Sequence, residues 1–216
     1  GSSSPSAKLS MDRLESIAYD ASGNARVAFP GGVVFLVPRE SLPDLDMEYP
    51  GWRDGGAKDL GDGAFLGRLK GIDEAARARK KALELCARAE QHRAGLFSKL
   101  IARGFSIESA RSSLEYLADQ GFLDDLRYCR LWARSRLSAK PQGPRILQAE
   151  LAAKGIPMGI IRQALGEIDF GDYIRKAAER EAKKRGVEVR EIGKVLKSQG
   201  FSSEQIENYL DEGSNS

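Results

Sequence analysis

Two periodicities divide the chain. Between residues 11 and 48 the apolar positions come in short runs, LESIAYD, NARVAFP and GVVFLVP, rich in Val, Ile, Phe and Tyr. Turn signals at Ser22-Gly23-Asn24 and Pro30-Gly31-Gly32 separate them, a pattern that predicts strands joined by hairpins. Residues 11–48 are expected to form a small antiparallel β module, too few strands to stand without a neighbour or partner to lean on. From Ile72 onward the apolar residues recur at three- and four-residue spacing, as in ARARKKALELCARAEQ, GLFSKLIARG and IESARSSLEYLADQG. That is helical spacing. Gly104 and Gly121 stand where a glycine ends a helix, and Ser106 with Ser109 and Asp124 with Asp125 offer N-cap side chains.

The helical part repeats. Aligned on Gly104, Gly155 and Gly200, the chain has Leu100, Leu151 and Leu196 four residues earlier and Leu96, Leu147 and Ile192 eight earlier. Phe105, Ile156 and Phe201 follow directly; Ala110, Ile161 and Ile206 come six later, and Leu114, Leu165 and Leu210 ten later. Steps of four and eight put residues on one helical face, and the residue after the glycine folds back on it. A longer helix precedes each copy, over Asp73–Glu90, Asp124–Ser138 and Phe170–Arg185. The fold class predicted is mainly α: a tandem array of three three-helix, helix-turn-helix-like repeats preceded by a small antiparallel β module. The expected division is a loose tail or expression scar at 1–10, the β module at 11–48, a Gly-rich linker at 49–71, and repeats at 72–121, 122–166 and 167–212. Within the linker, Gly61, Gly63 and Gly67 miss the GxGxxG phosphate-loop spacing by one residue, and no GK[ST] follows.

Net charge says little, at +3 from 34 basic and 31 acidic residues. Its placement says more. Between Arg127 and Arg162 stand eight Lys or Arg and a single acid, Glu150. The candidate binding residues are Arg127, Arg130, Arg134, Arg136, Lys140, Arg145, Lys154 and Arg162. The first three share a helical stripe suited to phosphates or to an acidic protein surface; the alternative is a solvated face with scattered ion pairs. A secondary basic cluster comprises Arg175, Lys176, Arg180, Lys183, Lys184 and Arg185. It is interleaved with acids, so pairs such as Glu179–Lys183 and Glu181–Arg185 compete there with ligand binding. Tyr128 and Trp132 on the basic helix are candidates either for base stacking or for the core, and Trp52 in the Gly-rich stretch for an exposed anchor.

Other chemistry is thin. Cys86 and Cys129 are the only cysteines and lie far apart, as buried reduced thiols of a cytoplasmic protein would. His92 is the only histidine and has no ligand cluster beside it, so no metal or cofactor is expected. Capping explains Asp124 and Asp125, and no nucleophile is set beside a base. No apolar run reaches the roughly 20 residues of a membrane span.

One segment has a specific likeness. GFLDDLRYCRLWARSRL followed by GPRILQAELAAKGI resembles the RecX family, the bacterial regulators of the RecA recombinase. Gly121, Asp124, Asp125, Arg127, Tyr128, Arg134, Gly143, Pro144, Ile146, Leu151, Lys154, Gly155 and Ile156 carry it. AEQHRAGLFSKLIARGF is similar to the family's first-repeat motif, with Ala89, His92 and Gly95 where Arg, Ser and Glu are usual. The resemblance implies an elongated, modular, non-enzymatic, monomeric regulator of homologous recombination and DNA repair. It implies binding in the groove of the RecA filament, inhibition of ATP hydrolysis and strand exchange, and direct contact with single- or double-stranded DNA. The competing reading is a free-standing DNA-binding helix-turn-helix protein, with Ile107–Asp119, Met158–Glu167 and Ser203–Asp211 as its recognition helices.

Overall fold

A computed structural model describes residues 14–54, 63–186 and 192–214. The predicted tail at 1–10 and Gly61 of the Gly-rich stretch lie outside the described residues. Three strands, β1 (Ser16–Tyr19), β2 (Ala25–Phe29) and β3 (Val33–Val37), form one antiparallel sheet in sequence order. The register pairs Ile17 with Val27 and Val27 with Phe35. Both expected turns are present. Gly23, Gly31 and Gly32 have φ of +82°, +85° and +79°, a region closed to most side chains. Asp20 closes the first turn by accepting from the N–H groups of Ser22 and Asn24 at 2.9 and 3.0 Å.

Among the described residues ten α-helices follow: α1 (Leu42–Glu48), α2 (Ala64–Arg88), α3 (Arg93–Ile101), α4 (Ile107–Asp119), α5 (Asp125–Ala139), α6 (Pro144–Ala153), α7 (Met158–Gly166), α8 (Gly171–Arg185), α9 (Gly193–Ser198) and α10 (Ser203–Ser214). The architecture is the mainly helical one predicted, with tandem helix-turn-helix units after a small sheet. The described residues fall into two compact units. One holds the sheet, α1, α2 as far as Glu84, and Lys99–Leu117; the other holds Leu85–Ser98 and the chain from Ala118 onward.

In the first unit the sheet leans on helices. Val27, Phe29, Phe35 and Val37 share a core with Leu42, Leu45, Trp52, Phe65, Leu69 and Ile72. The stretch 49–71, expected as linker, therefore contributes core residues and the first two turns of α2. Gly67 and Gly71 lie inside that helix. A helical glycine costs about 1 kcal/mol, whereas burying Phe65, Leu69 and Ile72 gains about 1.5–3 kcal/mol each, so burial decides. Trp52 is not an exposed anchor: it is fully buried, and its indole N–H donates to Asp46 at 2.8 Å. Asp73 on α2 accepts from the Leu36 N–H at 2.9 Å, occupying a donor on the outer edge of β3. Arg79 lies over the Tyr116 ring at 4.1 Å and pairs with Glu40 at 2.6 Å.

The three turn glycines behave alike. Gly104, Gly155 and Gly200 have φ of +86°, +80° and +91°. The next residue in each case donates back over the helix end, Phe105 to Leu100 at 3.3 Å, Ile156 to Leu151 at 3.4 Å and Phe201 to Leu196 at 3.2 Å. This is the Schellman ending that the spacing predicts. The aligned apolar positions Leu96, Leu100, Leu147, Leu151, Ile192 and Leu196 are all buried.

Backbone joins the successive repeats of the second unit. At the start of α6, the Gly143 N–H donates to the Gln199 carbonyl at 2.8 Å and the Arg145 N–H to the Gly200 carbonyl at 3.2 Å. Unpaired donors of one helix start thus meet unpaired acceptors of another helix end. A methyl group on Gly143 would overlap the Gly200 carbonyl group, and one on Gly200 would lie 2.8 Å from Ile146. One repeat earlier, a methyl on Gly155 would come within 3.0 Å of Ala94. There the first turn of α3 is satisfied by Asp125, which accepts from the Arg93 N–H at 2.7 Å. His92, just before α3, accepts from the Gly95 N–H at 3.2 Å and packs on Tyr128 with centroids 4.7 Å apart and the rings tilted by 48°. A methyl on Gly95 would fall 2.5 Å from the imidazole.

The substitution Gly143→Ala is expected to cost about 1–3 kcal/mol through overpacking. Gly159→Ala, on α7 with open space around it, should be neutral or slightly stabilising. Chemical denaturation of both variants at fixed temperature checks the contrast.

Candidate functional site

Helix α5 begins at an acidic cap. Asp124 accepts from the Leu126 and Arg127 N–H groups at 2.9 and 3.0 Å. Cys129, Ala133 and Leu137 are buried and define its inner face. Burial pushes the Cys129 thiol up to about 11, so it is inert packing. Arg127, Arg130 and Arg134 share the outer face, as the spacing predicts.

That outer face is not a bare cationic stripe. Arg127 pairs with Glu90 at 2.8 Å and donates to the carbonyls of Gly121 and Phe122 at 2.9 and 3.2 Å. Arg130 grips Glu167 with two bonds of 2.7 and 2.6 Å. Arg136 grips Glu150 with two bonds of 3.0 and 2.7 Å. Glu90 and Glu167 each stand 37 residues from their arginine, outside the basic window, so local sequence counting missed them. The hydrogen bonds from Arg130 hold the Glu167 carboxyl below its ordinary 4.5. Three of the eight candidate cations thus serve first as latches between elements.

Helical rotation separates the group further. At 3.6 residues per turn, Arg136 falls about half a turn from Arg127, on the flank facing α6. There Lys154 holds its ammonium 5.7 Å from the centre of the Trp132 ring. On the opposite flank a cavity of about 280 Å³ sets Arg130, Arg134 and Lys176 against Glu167, Asp169 and Asp172. Arg134, Lys140, Arg145 and Arg162 are exposed, and among the described residues none of the four has an ion pair. Tyr128 is half-buried under His92, and burial raises its hydroxyl pKa; it serves packing.

The secondary cluster on α8 fares differently. Ile174, Ala177, Ala178 and Ala182 form its buried stripe. Arg175 pairs with Asp172 at 3.2 Å and Arg185 with Glu181 at 3.5 Å. The expected Glu179–Lys183 pair is absent from the ion pairs of the described residues. Lys176, Arg180, Lys183 and Lys184 are exposed without a carboxylate partner there, and the first three recur at four and three residues along one face. Lys183 and Lys184 also favour the negative end of the helix dipole. Unneutralised positive charge is therefore denser along α8 than along α5.

These features describe a tandem three-helix repeat protein that carries a run of exposed cations without ion pairs among the described residues. Residues 124–165 match the RecX second three-helix domain. The chain is 39% identical over 134 residues to the regulatory protein RecX of Chromohalobacter salexigens, covering 59% of this chain and 87% of that protein. It is 35% identical over 136 residues to regulatory protein RecX of Thermus thermophilus, covering 59% and 94%. The crystal structure of a regulatory protein RecX superposes with a TM-score of 0.70 over 92% of this chain and 98% of that one, at 20% identity. That of RecX from Lactobacillus salivarius gives 0.60 over 65% and 96%, also at 20%. The chain belongs to the RecX family of regulatory proteins. Among the described residues no helix is long and apolar enough to cross a membrane.

Because the Glu167 pKa is lowered, the latch contributes stability in full above the ordinary carboxylate range and loses it as pH falls through the lowered value. The melting temperature of Arg130→Gln should lie below that of the native protein at pH 7. The gap should begin to narrow as pH falls below about 4.5 and close once pH is below the lowered value. Circular dichroism melts across that range check it, and the swap R130E/E167R should restore the native melting temperature at pH 7.

Proposed function

We propose that this protein is a non-catalytic, monomeric, cytoplasmic regulator of homologous recombination that binds the RecA nucleoprotein filament and lowers its ATPase and strand-exchange activities. The observation that carries the reading is the match to regulatory RecX proteins over most of their length. The unpaired cations of α8, with Arg134 on α5, supply chemistry suited to the DNA phosphates of such a filament or to acidic patches on its protein. Lysines neutralise phosphates as point charges and arginines by their fork, and neither needs a deep pocket for this. A free-standing helix-turn-helix reader fits less well. Of the three helices that would enter a groove, α4 exposes Arg111 beside Glu108 and Glu115, α7 exposes the single cation Arg162, and α10 exposes Glu204, Glu207 and Asp211. The acidic residues of α4 and α10 repel the DNA backbone.

The test is DNA-stimulated ATP hydrolysis by the cognate recombinase, titrated with this protein; a concentration-dependent fall is expected. The triple substitution Lys176→Glu, Arg180→Glu, Lys183→Glu should raise the concentration needed for half-inhibition at least tenfold with an unchanged melting temperature. If contact is to single-stranded DNA, the log–log salt slope of binding should fall by roughly two, at about 0.7 per lost phosphate contact. Full inhibition by the folded triple variant would remove α8 from the interface.

A further inference from the structure

Helices α5 and α6 face each other through two rungs. Trp132 and Arg136 lie four residues apart on α5, and Glu150 on α6 lies four before Lys154, the residue that caps that helix, so each pair shares a helical face. Arg136 meets Glu150 and Lys154 meets Trp132, the pattern of an antiparallel helix pair. The rungs floor an open groove of about 470 Å³, lined by these four residues and Ala153.

Two features of this groove go unused by the fold. Trp132 packs against the core yet stays only half-buried, and among the described residues its indole N–H has no acceptor, whereas the other tryptophan, Trp52, is sealed and bonded to Asp46. Arg136 spends Nε and one Nη on Glu150 and leaves its other Nη without a partner among the described residues. The Lys154 backbone is pinned at the end of α6, its N–H donating to Leu151 at 3.1 Å beside the turn at Gly155. Its side chain therefore returns over the indole ring, where a flat ligand would otherwise rest. An aromatic platform beside two cations, in an open groove, matches a planar base on a phosphate chain better than it matches a closed small-molecule pocket.

We infer that this groove takes an unpaired nucleobase of a single-stranded nucleic acid, stacked on Trp132. Lys154 swings off the ring to a flanking phosphate, and the free Nη of Arg136 holds a second. Glu150 keeps Arg136 in place and disfavours a second anion deep in the groove, so one base enters with its phosphates at the rim. The inference extends the nucleic-acid part of the function proposed above and places this contact apart from the cations of α8.

Trp132 reports on its own occupancy. Trp52 is buried, so a ligand-dependent loss of tryptophan emission arises at Trp132. Full-length protein titrated with oligothymidylate should show saturable quenching. A strand of equal length with abasic sites throughout, which carries the phosphates without the bases, should not quench. Equal quenching by both strands, or by neither, would overturn the stacked base. Quenching by free thymidine monophosphate at the same nucleotide concentration would overturn a strand as the ligand. Trp132→Leu, which keeps apolar bulk, should weaken oligothymidylate binding roughly tenfold, and Trp132→Phe should keep most of it. If Trp132→Leu fails to fold, the native emission data decide alone. Inhibition of recombinase ATPase without quenching leaves the regulator reading standing and removes this one; quenching without inhibition does the reverse.

Discussion

Backbone meeting backbone at Gly143 and Gly200 is the contact on which the second unit rests. The first turn of any helix exposes N–H groups with no partner of their own, and the last turn exposes carbonyls. Here the start of α6 is satisfied by the end of α9, through the Gly143–Gln199 and Arg145–Gly200 bonds. Such an approach tolerates no Cβ at either glycine. The joint also aligns the positive end of one helix dipole with the negative end of another. One repeat earlier the same region is closed by a side chain, Asp125 reaching the Arg93 N–H, while Gly155 sits against Ala94. Within the second unit, side-chain packing fills the core and hydrogen bonds at the helix ends join its segments.

Charge on this protein is divided between holding and offering. On α5, Arg127, Arg130 and Arg136 reach Glu90, Glu167 and Glu150 on three other segments, so the helix is latched along its length. Partly exposed pairs of this kind weaken as salt rises. On α8 the buried stripe is built of small alanines and one isoleucine, and the outward lysines and Arg180 have no carboxylate to hold. A cation already bound to a carboxylate must break that bond before it meets a phosphate. A free one loses only hydration and rotamer freedom. Positive residues adjacent in sequence therefore differ in what they can bind.

Much of the helical fold was legible in the chain. Leu96, Leu100, Leu147, Leu151, Ile192 and Leu196 are buried where their spacing from the turn glycines puts them, and Gly104, Gly155 and Gly200 adopt the left-handed turn their positions imply. Such signals are local, spanning about three turns. What local reading missed was tertiary. The segment from Ala64 reads as loop because of its glycines, yet Phe65 and Leu69 draw it into a helix under the sheet. Trp52 reads as exposed until Asp46 takes its N–H. The basic window reads as unopposed because Glu90 and Glu167 lie beyond it. Of the candidate site, the positions on α5 and α8 could be found in advance, but which cations were free could not, since that depends on residues brought together only by folding.

At the start of α3 an imidazole does the work of a capping side chain. It accepts the Gly95 N–H, and its ring occupies the space above that residue, pressed on its far side by Tyr128. The two positions are therefore coupled: a side chain at 95 needs the ring at 92 to move, and moving the ring leaves the 95 N–H without its acceptor.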